Sequence, residues 1–260
     1  MNVLLDAYRY RYFLFNLVWM GLKTRYRFSL LGLAWTVAHP ALHLAILTVV
    51  FATINRWNLA DYAIFMFSGL VPWNFFSKAV LDATVSIPNS SHYLLKVRTP
   101  KLVFPLSATL QALADFCAGF LVLLVLFAAL RGPMPASMLF LPISIAIWML
   151  FAAGVGMIFS VVDVLFRDFG HLAGLLLMLL FFGTPILFPA DPFLEAGGFR
   201  RLLVVWNPMY YFASLFQQPI HYATVPSLAA VGITAGLAAI ALVAGVSLYQ
   251  RFEDRFVYYL

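Results

Sequence analysis

Charge is what this sequence has least of. Asp, Glu, Lys and Arg make up 10% of its 260 residues, against 64% that are hydrophobic. A soluble domain carries about a quarter charged residues, and a chain so poor in them cannot coat a water-facing surface. That shortage excludes a soluble globular domain, and the apolar excess excludes a disordered chain or a coiled coil. Cysteine is nearly missing too: Cys117 stands alone, which excludes a disulfide-stapled fold and a cysteine-based metal site. There is no Walker A pattern, no Gly-rich phosphate loop and no Ser-centred nucleophile elbow, so nothing here cradles a nucleotide or forms a covalent intermediate. No signal peptide is read, because the first apolar run begins only at residue 30 and is too long for one.

What is present is long hydrophobic runs. Residues 30–54, 62–87, 102–130, 138–162, 171–190 and 227–249 each hold at least the roughly 20 apolar residues that cross a bilayer as a helix. They lack the alternation of barrel strands, and lipid offers an open backbone no partners, so the fold class is an all-α membrane protein with six transmembrane helices. No connection between the runs is long enough for a separate soluble domain, so 1–260 is a single transmembrane domain. With the N-terminus inside, eleven Lys and Arg fall on cytoplasmic segments and four outside, namely Arg56, Arg131, Arg200 and Arg201. The positive-inside rule therefore places both termini in the cytoplasm of a multi-pass inner-membrane protein. The net charge of +6 reads as topology and contact with anionic membrane lipids, not as nucleic-acid binding, because the cations are split among short segments.

Three segments between the runs stand out. Residues 1–29 mix Tyr8, Tyr10, Tyr12, Phe13, Phe15 and Trp19 with five cations, which suits a helix at the cytoplasmic interface, as a simple anchor or as a partner contact. Residues 88–101 are bracketed by Pro88 and Pro100, and Ser91 to Val97 has room for two helical turns capped by Asn89, Ser90 or Ser91. Such a helix on the inner face is either a lever for a soluble partner or a plain loop. Residues 191–226 are outside by topology yet apolar, broken at Asn207-Pro208 and ended by Pro219 and Pro226. Two readings remain for them: a re-entrant pair of short helices dipping into the outer leaflet, or two amphipathic helices lying on the surface.

Ionisable groups inside the runs are few. Lys78 and Asp82 share a helix face, and Asp115 on the next run is placed to pair with Lys78 across helices, as a structural or pore-facing pair. His39 and His43 have the spacing of a helical metal site, but Pro40 and Ala41 lie between them and no third ligand is evident, so no metal is expected. Of the aromatic rings, Trp35, Trp73, Phe75, Trp206, Tyr210, Tyr211, Phe212 and Tyr222 are candidates to line a conduit or gate, since flat apolar faces suit the C–H surfaces of sugar rings. Ala152, Ala153, Gly154 and Gly156 suit close helix packing.

Several fragments recur in a familiar order. They are Lys23-Thr24-Arg25-Tyr26-Arg27-Phe28-Ser29-Leu30-Leu31-Gly32-Leu33-Ala34-Trp35 with Pro40, Gly69-Leu70-Val71-Pro72-Trp73-Asn74-Phe75-Phe76, and Pro100 to Ser107. Phe166-Arg167-Asp168, Thr184-Pro185-Ile186-Leu187, Asn207-Pro208 and Arg255-Phe256 follow. In this order, over nearly the whole chain, the sequence resembles the transmembrane subunits of type-2 ABC exporters of lipid-linked polysaccharides, and its O-antigen branch most. The resemblance implies a homodimer that forms a channel for an undecaprenyl-linked glycan. It implies a separate nucleotide-binding ABC ATPase that holds the ATP and Mg, leaving no cofactor and no enzymatic activity on this chain. It assigns 1–29 to an interface helix, 88–101 to a coupling helix docking on the ATPase, with Asn89, Ser91, His92, Tyr93, Leu94, Lys96 and Arg98 as the coupling residues, and 191–226 to external gate helices. One departure is that relatives often carry two adjacent basic residues in the coupling region, where here Leu95 precedes Lys96. A permease for a lipid or a small hydrophobic drug is the alternative within transport; an ion-coupled carrier or an intramembrane enzyme, hinging on Asp115 or His39, is the alternative outside it.

Overall fold

The computed structural model describes residues 9–25, 34–55, 57–90, 99–253 and 256. Among them there is no strand. The helices are α1 (Arg11–Arg25), α2 (Ala34–Asn55), α3 (Leu59–Thr84), the single turn α4 (Ser86–Asn89), α5 (Val103–Arg131), α6 (Leu141–Leu165), α7 (Phe169–Gly183), α8 (Asp191–Glu195), α9 (Gly198–Val205), α10 (Pro208–Ile220) and α11 (Leu228–Phe252). A 3-10 turn, Ala136–Phe140, leads into α6.

Among the described residues, four helices are long and apolar enough to cross a membrane: α3, α5, α6 with its leading turn, and α11. The least apolar of them is the most enclosed. In the most apolar window of α3 the mean hydropathy is 1.3 and 78% of residues are buried, against 2.5 and 22% for α5. Lipid demands an apolar surface, whereas the interior accepts polar groups that find partners. Accordingly Tyr62 to Trp73 is buried without a break, and the hydroxyls of Ser68 and Thr84 donate back to carbonyls of their own helix. Around α3 pack α2, α5, α6, α7 and α10, while α11 reaches the core through α6.

The expected fifth span, 171–190, does not run as one helix. Its helix, α7, stops at Gly183 after 15 residues. Pro185 disfavours helical backbone at the residue before it, and Thr184 turns extended at φ −103°, ψ 136°. Fifteen residues rise about 22 Å, short of the roughly 30 Å hydrocarbon layer. The first run appears as the 22-residue α2. The helix α10 ends at Ile220, one residue past the buried Pro219.

Both ends of the described chain sit at one end of the bundle. Phe13 of α1 meets Phe104 at the start of α5, rings 6.4 Å apart and edge-on, and Gly21 lies against the Gln111 side chain. The helix α1 therefore follows the first turns of α5, held by protein as well as by lipid. The backbone N–H of Lys101 donates to Glu253 Oε1 at 3.1 Å, and its ammonium to the Glu253 carbonyl. The starts of α3 and α11 and the ends of α5 and α10 form the opposite end. There Asn58 caps α3, Ser227 caps α11, and Gly132 closes α5 at φ 82°, which only glycine adopts freely.

Candidate functional site

The segment 184–222 builds a hairpin into the end of the bundle remote from the termini. Asn207 makes its elbow. The side-chain carbonyl of Asn207 accepts from Met209 N at 2.9 Å, capping α10, and Pro208 occupies the first helical position, where a missing N–H costs nothing. The amide of the same side chain donates to Gly183 O at 2.9 Å and to Thr184 Oγ1 at 3.1 Å. One side chain thus fastens the elbow to the end of α7. Tyr211 closes the elbow by donating to Val205 O at 3.0 Å.

From the elbow α10 climbs along α6 toward the rim. Trp148 of α6 stacks near Phe212 with ring centroids 4.7 Å apart, Ser144 donates to Leu215 O at 2.9 Å, and Ser137 donates to Pro219 O at 2.9 Å. Buried Gln217 donates to Pro185 O at 3.0 Å, tying α10 to the turn after α7. Thirteen residues rise about 20 Å, so the elbow lies well below the rim. Packing of this kind, with Met209, Phe212 to Gln217, Pro219 and Ile220 all buried, places α10 inside the bundle and not across its surface.

At the rim the hairpin is tied by a cluster that topology counting does not reveal. Arg131, at the end of α5, donates to the His221 carbonyl at 2.6 Å and bridges Asp61 of α3 at 2.8 Å. His221 stacks on Trp57 with rings 6.0 Å apart and 19° inclined, and meets Phe65 and Tyr222 edge-on. Burial, and then the Arg131 guanidinium, lower the His221 imidazole from 6.5 to about 4, with Asp61 opposing. Burial first, and then the charge of Asp191, hold the Tyr222 phenol above its ordinary value. For His221 the fold favours the neutral ring. Its stabilisation is complete above pH 6.5 and is lost as pH falls from 6.5 toward about 4, where the unfolded chain takes the proton first. The melting temperature of His221→Phe, which keeps a stacking ring, is expected to fall less than that of the wild type between pH 7.5 and 4.5; equal slopes would remove His221 from the account.

The expected conduit rings divide by exposure. Trp73, Phe75 and Phe212 are buried: Trp73 packs on Phe76 and Phe181, Phe75 on Phe116, and Phe212 on Phe151 and Trp148. Rings so enclosed brace the interior of the chain's own helix bundle. Trp206 at the elbow is 81% exposed and Tyr222 at the rim is 43% exposed, while Tyr210 and Tyr211 are half-buried. The side chains of Trp35, His39 and His43 lie outside the described residues.

The ion pair at Lys78 is with Asp82, four residues on in the same helix, at 3.0 Å and with both side chains partly open. The half-buried Asp115 lies next to Phe116, whose ring meets Phe75, so it sits within a turn of the level of Lys78. A buried acid that the sequence reading missed is Asp163, at the end of α6. It accepts from Gly170 N at 2.8 Å and pins the turn between α6 and α7. The signal was present, an acid six residues ahead of a helix start, but it fell just past the assigned span.

Of the coupling residues, Asn89 is exposed at the end of α4, while Ser91, His92, Tyr93, Leu94, Lys96 and Arg98 lie outside the described residues. The base of that segment is firm on both sides. Ile87 before it and Leu102 after it are fully buried in a second core with Met157, Val161, Val164, Tyr249 and Phe256. Tyr249 and Ser160 share a hydrogen bond at 2.7 Å within it.

The family model described as ABC-2 type transporter matches residues 12–220. The chain is 31% identical over 252 residues, 96% of either chain, to the O-antigen export system permease protein RfbA of Myxococcus xanthus. It is 28% identical over 241 residues, 90% of either chain, to a protein of the same name from Klebsiella pneumoniae. To the polysialic acid transport protein KpsM of Escherichia coli it is 24% identical over 237 residues, again 90% of either chain.

Proposed function

The chain belongs to the ABC-2 type transporter family, and from that premise we propose that it is the channel-forming membrane subunit of an ATP-driven polysaccharide exporter. Its cargo is an undecaprenyl-linked glycan of the O-antigen type, carried across a bacterial inner membrane. The observation that carries this reading is end-to-end similarity, over 96% of either chain, to a protein named as an O-antigen export permease. The geometry supports it. A hairpin fastened at Asn207 and tied at the rim by Arg131 stands as a distinct element at this end of the bundle, and exposed Trp206 and Tyr222 give it apolar faces for a sugar chain.

ATP and Mg belong to a separate nucleotide-binding subunit, and no bond is made or broken on this chain. The segment 88–101, standing on the buried flanks Ile87 and Leu102, is the lever that ATP-driven closure of that subunit pushes. Two copies of the chain enclose the passage. On α7 only Ala173 and Leu177 are buried, and Leu172, Leu175, Leu179 and Phe182 are exposed, which leaves a helix face for the second copy. Both termini, at the same end as that lever, lie on the cytoplasmic side.

The test is capture. Expressed with the candidate ABC ATPases of its own genome, the chain is expected to retain one through purification and to alter its hydrolysis rate, and its deletion is expected to strip polysaccharide from the cell surface. Binding none of them would overturn the exporter reading; capture with surface polysaccharide intact would turn it toward a lipid or drug permease.

A further inference from the structure

The segment 88–101 leaves the bundle at Ile87 and returns at Leu102, and its two stems are built differently. Ile87 stands at the foot of the core helix α3, where Ser86 beside it donates to Ala83 O at 2.7 Å. The returning stem joins α5 through a looser turn. In it Val103 N donates to Pro100 O at 3.2 Å and Phe104 N to Lys101 O at 3.3 Å, at and just beyond the long end of the usual range. The helix that follows, α5, is the least enclosed of the four apolar spans. A push on this stem therefore needs a second hold if it is to reach the rest of the bundle.

The end of α11, 152 residues further along the chain, supplies that hold. Lys101 N–H donates to Glu253 Oε1 at 3.1 Å, and the Lys101 ammonium donates to the Glu253 carbonyl. Glu253 is the C-terminal cap of α11, so the ammonium sits among carbonyls that the helix leaves unpaired, at the negative end of its dipole. Phe256, three residues on, is fully buried, with its ring 5.5 Å from the same ammonium and edge-on to Tyr249 at 5.6 Å. Tyr249 in turn shares a hydrogen bond with Ser160 of α6 at 2.7 Å. What α11 does with this hold follows from its other neighbours. It lies on α6, where a Cβ on Gly245 would stand 2.8 Å from Gly154 O. The helix α6 carries the hairpin, through Trp148 against Phe212, Ser144 to Leu215 O and Ser137 to Pro219 O. Helices packed this closely transmit strain, because neither can shift alone without opening a void or a clash.

We propose that Glu253 is a positioning residue for coupling: it clamps the returning stem of the lever to α11, and the end of α11 moves with the lever when the ATPase pushes it. The displacement then enters α11 at Glu253, passes to α6 across the close crossing, and reaches the hairpin at the far end of the bundle. Without the clamp the loose turn at 100–104 yields, and α6 and the hairpin stay where they are. This rests on the reading of 88–101 as the lever, and adds to it the element that receives the push.

The experiment uses the full chain with its captured ATPase, and a deletion strain whose surface polysaccharide the chain restores. Glu253→Ala is expected to retain the ATPase and its hydrolysis while surface polysaccharide falls about tenfold. Glu253→Gln, whose amide oxygen still accepts from Lys101 N–H, is expected to export nearly as the wild type does. Equal export by the two variants would overturn the proposal. So would a fall in melting temperature and ATPase retention that tracks the loss of export, since that is what a purely structural contact predicts. If Glu253→Ala does not fold, the decision passes to Lys101→Cys/Glu253→Cys in a Cys117→Ser background. That pair lacks the clamp and is expected to export poorly until a short thiol cross-linker joins the two positions, and then to recover. No recovery while hydrolysis continues would overturn the proposal. Capture of no ATPase at all counts against the exporter reading instead, whereas capture with export indifferent to Glu253 removes the clamp and leaves that reading standing.

Discussion

Gly154→Leu is expected to yield no folded protein. A Cβ at position 154 would stand 2.5 Å from Ala241 C and Leu242 N and 2.8 Å from Ala241 O, all of them backbone atoms of α11. No rotamer change relieves such a contact; the two helices must move apart. From the other side, a Cβ on Gly245 would meet Gly154 O at 2.8 Å and Met157 Cβ at 2.9 Å. These two glycines let α6 and α11 approach backbone to backbone, which is how helices associate where lipid supplies no hydrophobic drive. One added methyl, Gly154→Ala, is expected to cost about 1 to 3 kcal/mol, and leucine more than the helix pair can absorb. Gly154→Ala and Gly245→Ala share the contact, so their costs should not add. The control is Gly174→Ala on α7, where a Cβ meets nothing within 4 Å. It should be neutral, or stabilising by up to about 1 kcal/mol through helix propensity. Thermal unfolding in lipid nanodiscs reads all four, and a stable Gly154→Leu protein would refute the close crossing.

Trp148→Ala comes next in size. The indole is 3% exposed and lies between three elements. Its Nε1–H donates to Pro72 O of α3 at 2.8 Å, and its ring sits 4.7 Å from Phe76 of α3, 5.8 Å from Phe151 of α6 and 4.7 Å from Phe212 of α10. It joins α3 and α6 to the hairpin, alongside Phe151, Ser144 and Ser137, which also hold α10. Removing a buried ring of this size costs about 3 to 5 kcal/mol. Trp148→Phe keeps most of the stacking and loses the hydrogen bond, for a cost of about 1 kcal/mol. The alanine variant is therefore expected to melt far below the phenylalanine variant. Limited proteolysis should then cut first in 184–222, because Phe212 of α10 loses one of its two ring contacts with α6. Equal melting temperatures, or first cleavage elsewhere, would show that the hairpin does not hang on this residue.

Particular residues show where reading the sequence stopped. Ala152, Ala153, Gly154 and Gly156 could be read as close-packing residues from their size alone, and the two glycines serve two different partners: Gly154 meets α11, while a Cβ on Gly156 would stand 2.8 Å from Ala83 Cβ of α3. The partner Gly245 carried no such mark, since α11 has glycines at 232 and 236 that touch nothing within 4 Å. Asn207-Pro208 was legible as a break because proline and an N-capping side chain have local meanings. The second role of Asn207, gripping the end of α7, depends on carbonyls that are free only because α7 stops at Gly183. Pro185 announced that stop, and the hydropathy of 171–190 outweighed it. Arg131 counted only as one of four outer cations, yet its ties to Asp61 and His221 span 70 and 90 residues of sequence.

By itself the sequence determined that this chain is a membrane protein built of apolar helices, that it breaks at Asn207-Pro208, and through its ordered motifs which family it belongs to. Those are local properties, because burial in a bilayer is decided run by run and turn chemistry residue by residue. Only the tertiary structure decided which apolar helix is the core, which aromatic rings are bracing and which stay open, and what holds the hairpin at its elbow and rim. In a sequence where 64% of residues are hydrophobic, hydropathy cannot tell a lipid-facing side from a protein-facing one. That choice is made by small residues and a few polar groups finding partners far along the chain.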